Sequence, residues 1–492
     1  MLSRLPSATS RRHEGGATMT RPPGRAPAGQ RTAGPRTASQ QPASQRTASQ
    51  RPTVSAAATQ RGATPRPRRA PAAGAGRSGA APVRRLFGRD LGSRLEPWNS
   101  AVTSYYLLTG ATSILLVLGL VMVLSSSSVE SLAADKSAYA EFAKQAQFAL
   151  IGLPLLWVAS RLPVRFYKAV GWPALGVAAF LQLLVFTPLG VSVNGNRNWL
   201  DLGPVVIQPS EVAKVALALW LGVVLSRKRA LLPEWKHSLI PVVPAVGALI
   251  GLVLLGQDLG TALVLIMLVA GAMFIAGVPM RVFGAGAAAA TLGVVVLAQG
   301  SSNRMTRIAS WLNDSCDVTK ECYQTLHGTW GLATGGWWGL GLGESREKWS
   351  YLPEAKNDFI FAILGEELGL VGTLLVLVLF ALLAIAMLRV VRRHPDPFVS
   401  ITTAAIAFWV IGQAFLNIAV VLGLAPVIGI PLPLVSAGGS ALIMTMVGLG
   451  VVISFARTEP GAAQALAARP GVLRRSLAVI GRSRPGVGRR AG

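Results

Sequence analysis

The chain predicts an all-α polytopic membrane protein with about ten transmembrane helices and a long extracytoplasmic loop. Three observations carry that prediction. Apolar residues fill 51% of the 492 positions, charged residues only 14%, and the mean hydropathy is positive, a balance that belongs to polytopic membrane proteins. Apolar runs of spanning length then recur from residue 103 to residue 456. Lastly, the arginines behind the net charge of +26 lie outside those runs, in the N-terminal segment, the short loops and the C-terminal segment. Basic flanks beside spans are read as cytoplasmic and as attracted to anionic lipid headgroups, so this charge does not point to nucleic acid.

Residues 1–95 are rich in Arg, Ala, Pro, Gly, Ser, Thr and Gln and repeat Arg-Thr-Ala-Ser-Gln at Arg36 to Gln40 and Arg46 to Gln50. Such a segment cannot bury enough surface to fold alone, and it lacks the short apolar core of a secretory signal. It is expected to be a disordered basic cytoplasmic tail. Residues 96–457 form the expected transmembrane domain, and 458–492 a second basic cytoplasmic tail.

The expected spans are 103–125, 146–163, 168–189, 209–226, 238–256, 258–278, 281–299, 358–391, 398–424 and 436–456. Arg and Lys cluster at Arg161 to Lys168, Arg227 to Lys236, Arg281, and Arg389 to Arg393, which places both termini in the cytoplasm. Loops 126–145, 190–208, 300–357 and 425–435 then face outward. The 300–357 loop is longer than a connection needs, and its Trp and Gly content predicts an ordered element at the membrane surface. The 358–391 run exceeds one span, so its first turns are expected to dip into the membrane before the spanning part begins.

Five polar clusters are candidates for chemistry. In Gln208-Pro209-Ser210-Glu211, Ser210 is the expected N-cap of a span, while Lys214, inside that span, needs a partner or a wet cavity; Asn194 to Leu200, with Arg197, precedes it. Asp258, in Gln257-Asp258-Leu259-Gly260-Thr261, reads equally as a helix cap and as part of a site. The long loop holds Arg304, Arg307, Asp314, Asp317, Tyr323 and Gln324. Cations beside carboxylates there suit an anionic lipid headgroup, since guanidinium grips phosphate and a carboxylate takes a hydroxyl proton or holds a metal. Glu354, Lys356, Asn357, Asp358, Glu366 and Glu367 form the fourth cluster; were the segment helical throughout, Asp358 and Glu366 would stand roughly 80° apart and face one cavity. The fifth, Pro431 to Ser440 with Ser436, interrupts an apolar region as broken helices do. Two cysteines, Cys316 and Cys322, flank Asp317 at a spacing that permits a disulfide in an oxidising compartment.

Taken together, Asn194 to Leu200, Gln208 to Lys214, Asp258 to Thr261, Trp311 to Gln324, Tyr351 to Gly369 and Pro431 to Ser440 resemble the SEDS family of cell-wall glycosyltransferases, FtsW and RodA. Tyr351-Leu352-Pro353-Glu354-Ala355, Asn357-Asp358-Phe359 and Gly365-Glu366-Glu367-Leu368-Gly369 carry the resemblance most strongly. It departs from the family pattern at Asn198, at Gly256-Gln257, at Val318 and at Ala437. The long basic tail and the Arg457-Thr458-Glu459-Pro460-Gly461 ending resemble actinobacterial FtsW chains, the division branch.

The resemblance implies polymerisation of lipid II into β-1,4 glycan strands during cell division, on the outer face of the cytoplasmic membrane. It implies Asp317 as the catalytic residue, general base on the acceptor 4-hydroxyl, with Asp314 the weaker candidate. Arg197, Lys214, Asp258, Arg304, Arg307, Glu366 and Ser436 are the expected substrate-binding residues. A divalent metal, Mg or Mn, has a place beside the donor pyrophosphate. Expected partners are lipid II, undecaprenyl-pyrophosphate-linked glycan, a class B penicillin-binding protein, other division proteins and the membrane, without nucleic acid. The expected location is the division septum. A RodA-like elongation polymerase and a lipid-linked precursor transporter stay open as alternatives.

Overall fold

In hydrocarbon every backbone N–H and C=O must find its partner within the protein, so an apolar run of spanning length becomes a helix. The computed structural model describes residues 100–193, 196–203, 205–240, 242–299, 302–312, 317 and 322–468, all of them within the unit Ala81–Gly492. The expected tail at 1–95 and the final stretch 469–492 lie outside the described residues. Among the described residues nine helices are long and apolar enough to cross a membrane. They are α1 (Thr103–Ala133), α2 (Ala140–Ala159), α3 (Val164–Leu184), α4 (Pro209–Arg227), α5 with α6 (Trp235–Leu239 and Val242–Leu255, one span), α7 (Leu259–Ala276), α11 (Ile360–Arg393), α12 (Pro397–Val421) and α13 (Gly439–Arg457). The seventh expected span is the helix α8 (Met280–Gln299). The long loop carries α9 (Ser302–Leu312) and α10 (Tyr323–Gly335), and α14 (Ala462–Ala467) follows the last span.

Burial ranks these helices. In α4, 83% of the central window is buried, against 22% in α2 and in α3, so α4 is the axis of the bundle while α2 and α3 turn apolar faces outward. α4 is buried on all its faces, Glu211 and Lys214 included. It packs on α3, α7 and α12, while α1 lies against α11 and α2 against α13. Small residues set these approaches. A β-carbon on Gly222 of α4 would stand 2.0 Å from Thr402 Oγ1 of α12, and one on Gly271 of α7 would stand 2.3 Å from the Phe408 ring. Close backbone packing through glycine is the membrane substitute for the hydrophobic drive that lipid removes.

Several expectations need correction. The first span continues to Ala133, taking in Ser125 to Ser128, because the Ser127 hydroxyl returns its hydrogen bond to Val123 O at 2.6 Å and so remains compatible with helix. Ser210 is not the N-cap of α4. The helix starts two residues earlier than that cap would imply, with Pro209 as its first residue, Gln208 at the cap, and the Gln208 N–H bound by Ser440 Oγ at 3.2 Å; proline suits that place because its missing N–H would be unpaired there anyway. The 190–208 loop is a three-stranded antiparallel sheet, β1 (Gly190–Val193), β2 (Asn196–Asp201) and β3 (Val206–Ile207), with Val193 opposite Asn196 and Leu200 opposite Ile207. The dipeptide Asn194-Gly195 was the sequence signal for that hairpin.

Candidate active site

Two stretches of irregular backbone enter the apolar bundle, and buried side chains hold both. The first is 424–438, between α12 and α13. On α12, Gln413 and Asn417 lie one turn apart and are buried. Gln413 Nε2 donates to Pro431 O at 2.9 Å, and Asn417 Nδ2 donates to both Ile430 O and Asp358 O at 2.7 Å. Ser436 Oγ accepts from Leu432 N at 2.8 Å and donates to Asn357 O at 2.6 Å. Gln145 of α2 donates to Ser436 O at 3.2 Å and accepts from Gly438 N at 3.1 Å. Residues 356–358 are thereby fixed against 430–437, with Ala437 N also donating to Lys356 O at 3.0 Å.

The second is the break in α11 at Gly369, where φ is +66° and ψ is −163°. Backbone groups on its two sides are taken up by 336–341: Leu340 N donates to Glu366 O at 2.9 Å, Gly341 N to Glu367 O at 3.0 Å, and Leu370 N to Gly336 O at 2.9 Å. The long apolar run is therefore two helical pieces. The acids just before the break have separate tasks. Glu366 accepts from Ser345 Oγ at 2.5 Å and from the backbone N–H groups of Arg346 and Glu347 at 3.0 and 3.3 Å. Glu367 binds Ser125 Oγ at 2.5 Å and Lys348 Nζ at 3.2 Å.

Asp358 and Glu366 do not share a cavity. The helix begins only at Ile360, so Asp358 sits in the preceding turn and its carboxyl faces Gly429, while Glu366 faces the 345–347 loop. Burial pushes the Asp358 carboxyl up to about 7, Glu354 adding to the rise and Arg307 opposing it.

Lys214 answers the need stated from sequence. Its ammonium lies 2.8 Å from Glu211 Oε1, 3.2 Å from Gln413 Oε1 and 5.2 Å above the Trp409 ring, with only 2% of the side chain exposed. Asp258 caps α7 by accepting from Thr261 N at 2.8 Å and Thr261 Oγ1 at 2.7 Å, and it also accepts from Gln208 Nε2 at 3.1 Å. Arg197 lies on β2, its backbone N–H donating to Gly256 O at 3.1 Å and its guanidinium to Thr187 O at 2.9 Å.

The long loop folds back onto the first irregular stretch. Arg307 Nη1 of α9 donates to Val427 O at 3.3 Å and Trp311 Nε1 to Gly423 O at 3.1 Å. Gln324 Nε2 of α10 donates to Pro353 O at 3.1 Å. Between them lies a cavity of about 180 Å³ lined by Arg307, Trp311, Cys322, Gln324, Thr325 and the 423–427 backbone. Asp317 is exposed, and its backbone carbonyl accepts from the N–H of Cys322, one of the lining residues, at 3.2 Å. Cys322 is disulfide-bonded, and the chain has one other cysteine, Cys316; Cys316 and Asp314 lie outside the described residues, as does the side chain of Arg304.

Gln413, Asn417, Gln145 and Lys348 were missed from sequence. The signal was present for two of them, since amides one turn apart in an apolar span need partners. For the expected metal, no group of three or more His, Cys, Asp or Glu side chains gathers among the described residues. These residues do not form a protein cage for a metal.

A bundle of apolar spans, with a loop cavity folded against buried polar clamps, defines a polytopic membrane protein. Residues 106–460 match the FtsW/RodA/SpoVE family of cell cycle proteins. The chain belongs to that family. A Mycobacterium tuberculosis protein named "Probable peptidoglycan glycosyltransferase FtsW" is 40% identical over 391 residues, 79% of this chain and 73% of the relative. The Bacillus subtilis stage V sporulation protein E is 33% identical over 352 residues, 71% of this chain and 96% of the relative. Among solved structures, a chain of a peptidoglycan synthase complex matches with a TM-score of 0.60 and 28% identity, covering 71% of this chain and 96% of its own length. Thermus thermophilus RodA matches with a TM-score of 0.54 and 27% identity, covering 72% and 97%.

Proposed function

We propose that this chain is a peptidoglycan glycosyltransferase that polymerises lipid II into β-1,4 glycan strands during cell division. The 40% identity with the mycobacterial relative over most of both chains carries the reading. Asp317, whose backbone carbonyl is bonded by the cavity-lining Cys322, is the general base. It accepts the proton of the acceptor 4-hydroxyl as that oxygen bonds to the donor's anomeric carbon; the bond from that carbon to diphosphate breaks, its electron pair leaves with the lipid diphosphate, and the centre inverts from α to β. Arg197, Arg304 and Arg307 supply the cations for the diphosphate. Lys214, Asp258, Glu366 and Ser436 serve the site by holding its loops.

The partner is a class B penicillin-binding protein, the site faces the cell exterior with both termini in the cytoplasm, and the basic tail directs the enzyme to the septum. Purified protein with lipid II, alone and with that partner, tests the reading through glycan-chain formation. Asp317→Asn keeps the shape but is a far poorer proton acceptor, so polymer formation should fall by about 10²–10⁴-fold with membrane insertion intact. Near-normal product from Asp317→Asn would overturn the general-base role. Lipid II translocation without any polymer from the wild-type protein and its partner would overturn the enzyme reading in favour of transport.

A further inference from the structure

Asp358 is an acid for which the polymerisation step above has no use, yet its placement is tightly specified. The backbone on both sides of it is clamped, Asn357 O by Ser436 Oγ at 2.6 Å and Asp358 O by Asn417 Nδ2 at 2.7 Å. Its carboxyl is aimed at the 423–430 stretch: a β-carbon on Gly429, whose φ is +70°, would stand 3.4 Å from Asp358 Oδ2. Two residues back along that stretch, Val427 O accepts from Arg307 Nη1 at 3.3 Å. Arg307 and Asp358 thus address the same short piece of backbone, Arg307 and Val427 line the loop cavity, and the two side chains are close enough to interact electrostatically. Gln413 and Asn417 on α12 hold the whole arrangement from below.

Resting on the glycosyltransferase reading, we infer that Asp358 is a donor-binding residue that works as a neutral carboxylic acid, giving a hydrogen bond to a diphosphate oxygen of lipid II beside Arg307. An ionised carboxylate at that place would repel the diphosphate, whereas the protonated acid offers it a donor that adds to the guanidinium's. The surroundings favour the neutral form. Burial is the largest influence on the group and Glu354 adds to it, against Arg307. Lys356, two residues away, is engaged with Glu130 at 2.7 Å. An arriving diphosphate brings more negative charge and holds the proton in place still more firmly.

The consequence is a pH-dependent affinity for donor. A group that titrates near pH 7 is about nine-tenths protonated at pH 6 and about one-tenth at pH 8, so the lipid II KM should rise about tenfold across that interval with kcat little changed. Asp358→Asn offers a permanent N–H donor and cannot ionise. Its KM should stay level from pH 6 to pH 8 and close to the wild-type value at pH 6, while Asp358→Ala should show a raised KM at both. The wild-type series stands by itself if a variant fails to fold, which size-exclusion chromatography of the purified protein reports. A wild-type KM that is flat between pH 6 and pH 8, or an Asp358→Asn enzyme that keeps the tenfold rise, overturns the inference while polymer at pH 6 leaves the enzyme reading standing. No polymer from the wild type at any pH overturns both.

Discussion

Lys214→Met is the most informative substitution in the bundle. The ion pair that it breaks lies 2.8 Å apart with its two side chains 2% and 4% exposed. At an effective dielectric of about 20 the attraction at that distance is about 6 kcal/mol, while each ion surrenders several kcal/mol of hydration, so the intact pair adds little net stability. Breaking it is different. Glu211 Oε2 has no hydrogen-bond partner among the described residues, and without Lys214 its other oxygen loses its counter-ion as well. Leaving one buried charge uncompensated costs about 3–5 kcal/mol. The Gln413 carbonyl also loses a donor, although it keeps Trp409 Nε1 at 3.1 Å. Lys214→Met combined with Glu211→Gln removes both charges and should cost about 2 kcal/mol less than the sum of the two single variants, the coupling that a double-mutant cycle isolates. Equilibrium unfolding of the purified protein by SDS titration in mixed micelles supplies the values. Additive costs for the two single variants would refute the reasoning. So would a Lys214→Met protein of wild-type stability that cannot polymerise lipid II, since that would place the ammonium on the substrate rather than on Glu211.

Two other outcomes follow from the same structure. Gly369→Val should destabilise the protein by about 3 kcal/mol or more in the same titration, because a side chain must adopt a left-handed φ and its β-carbon would stand 2.4 Å from Gly339 N; a variant as stable as the wild type would mean that α11 is continuous there. Intact, unreduced protein should take up no maleimide and, once reduced and unfolded, should take up two per chain, the full cysteine content; labelling without reductant would refute the bridge at Cys322.

Much of this architecture was legible from patterns that depend only on local chemistry. Run length in a solvent without hydrogen-bond partners dictates helix, so the spans followed from hydropathy, and the 358–391 run was longer than one span needs; that it breaks at Gly369 was not in the pattern. Lys214 and Asp258 announced themselves because charge in an apolar segment demands a partner. The partners did not. Glu211 is three residues from Lys214 and visible on a helical wheel, but Gln413 lies 199 positions away, and nothing local to Asn417 reveals that its amide joins Ile430 to Asp358. Where Asp358 points was likewise outside the reach of periodicity, since the helix on which its angle to Glu366 was reckoned starts two residues later. A residue's need for a hydrogen bond is written in its own chemistry and its neighbours in the chain, whereas the group that meets the need is chosen by the packing of the helices, which brings together positions hundreds of residues apart.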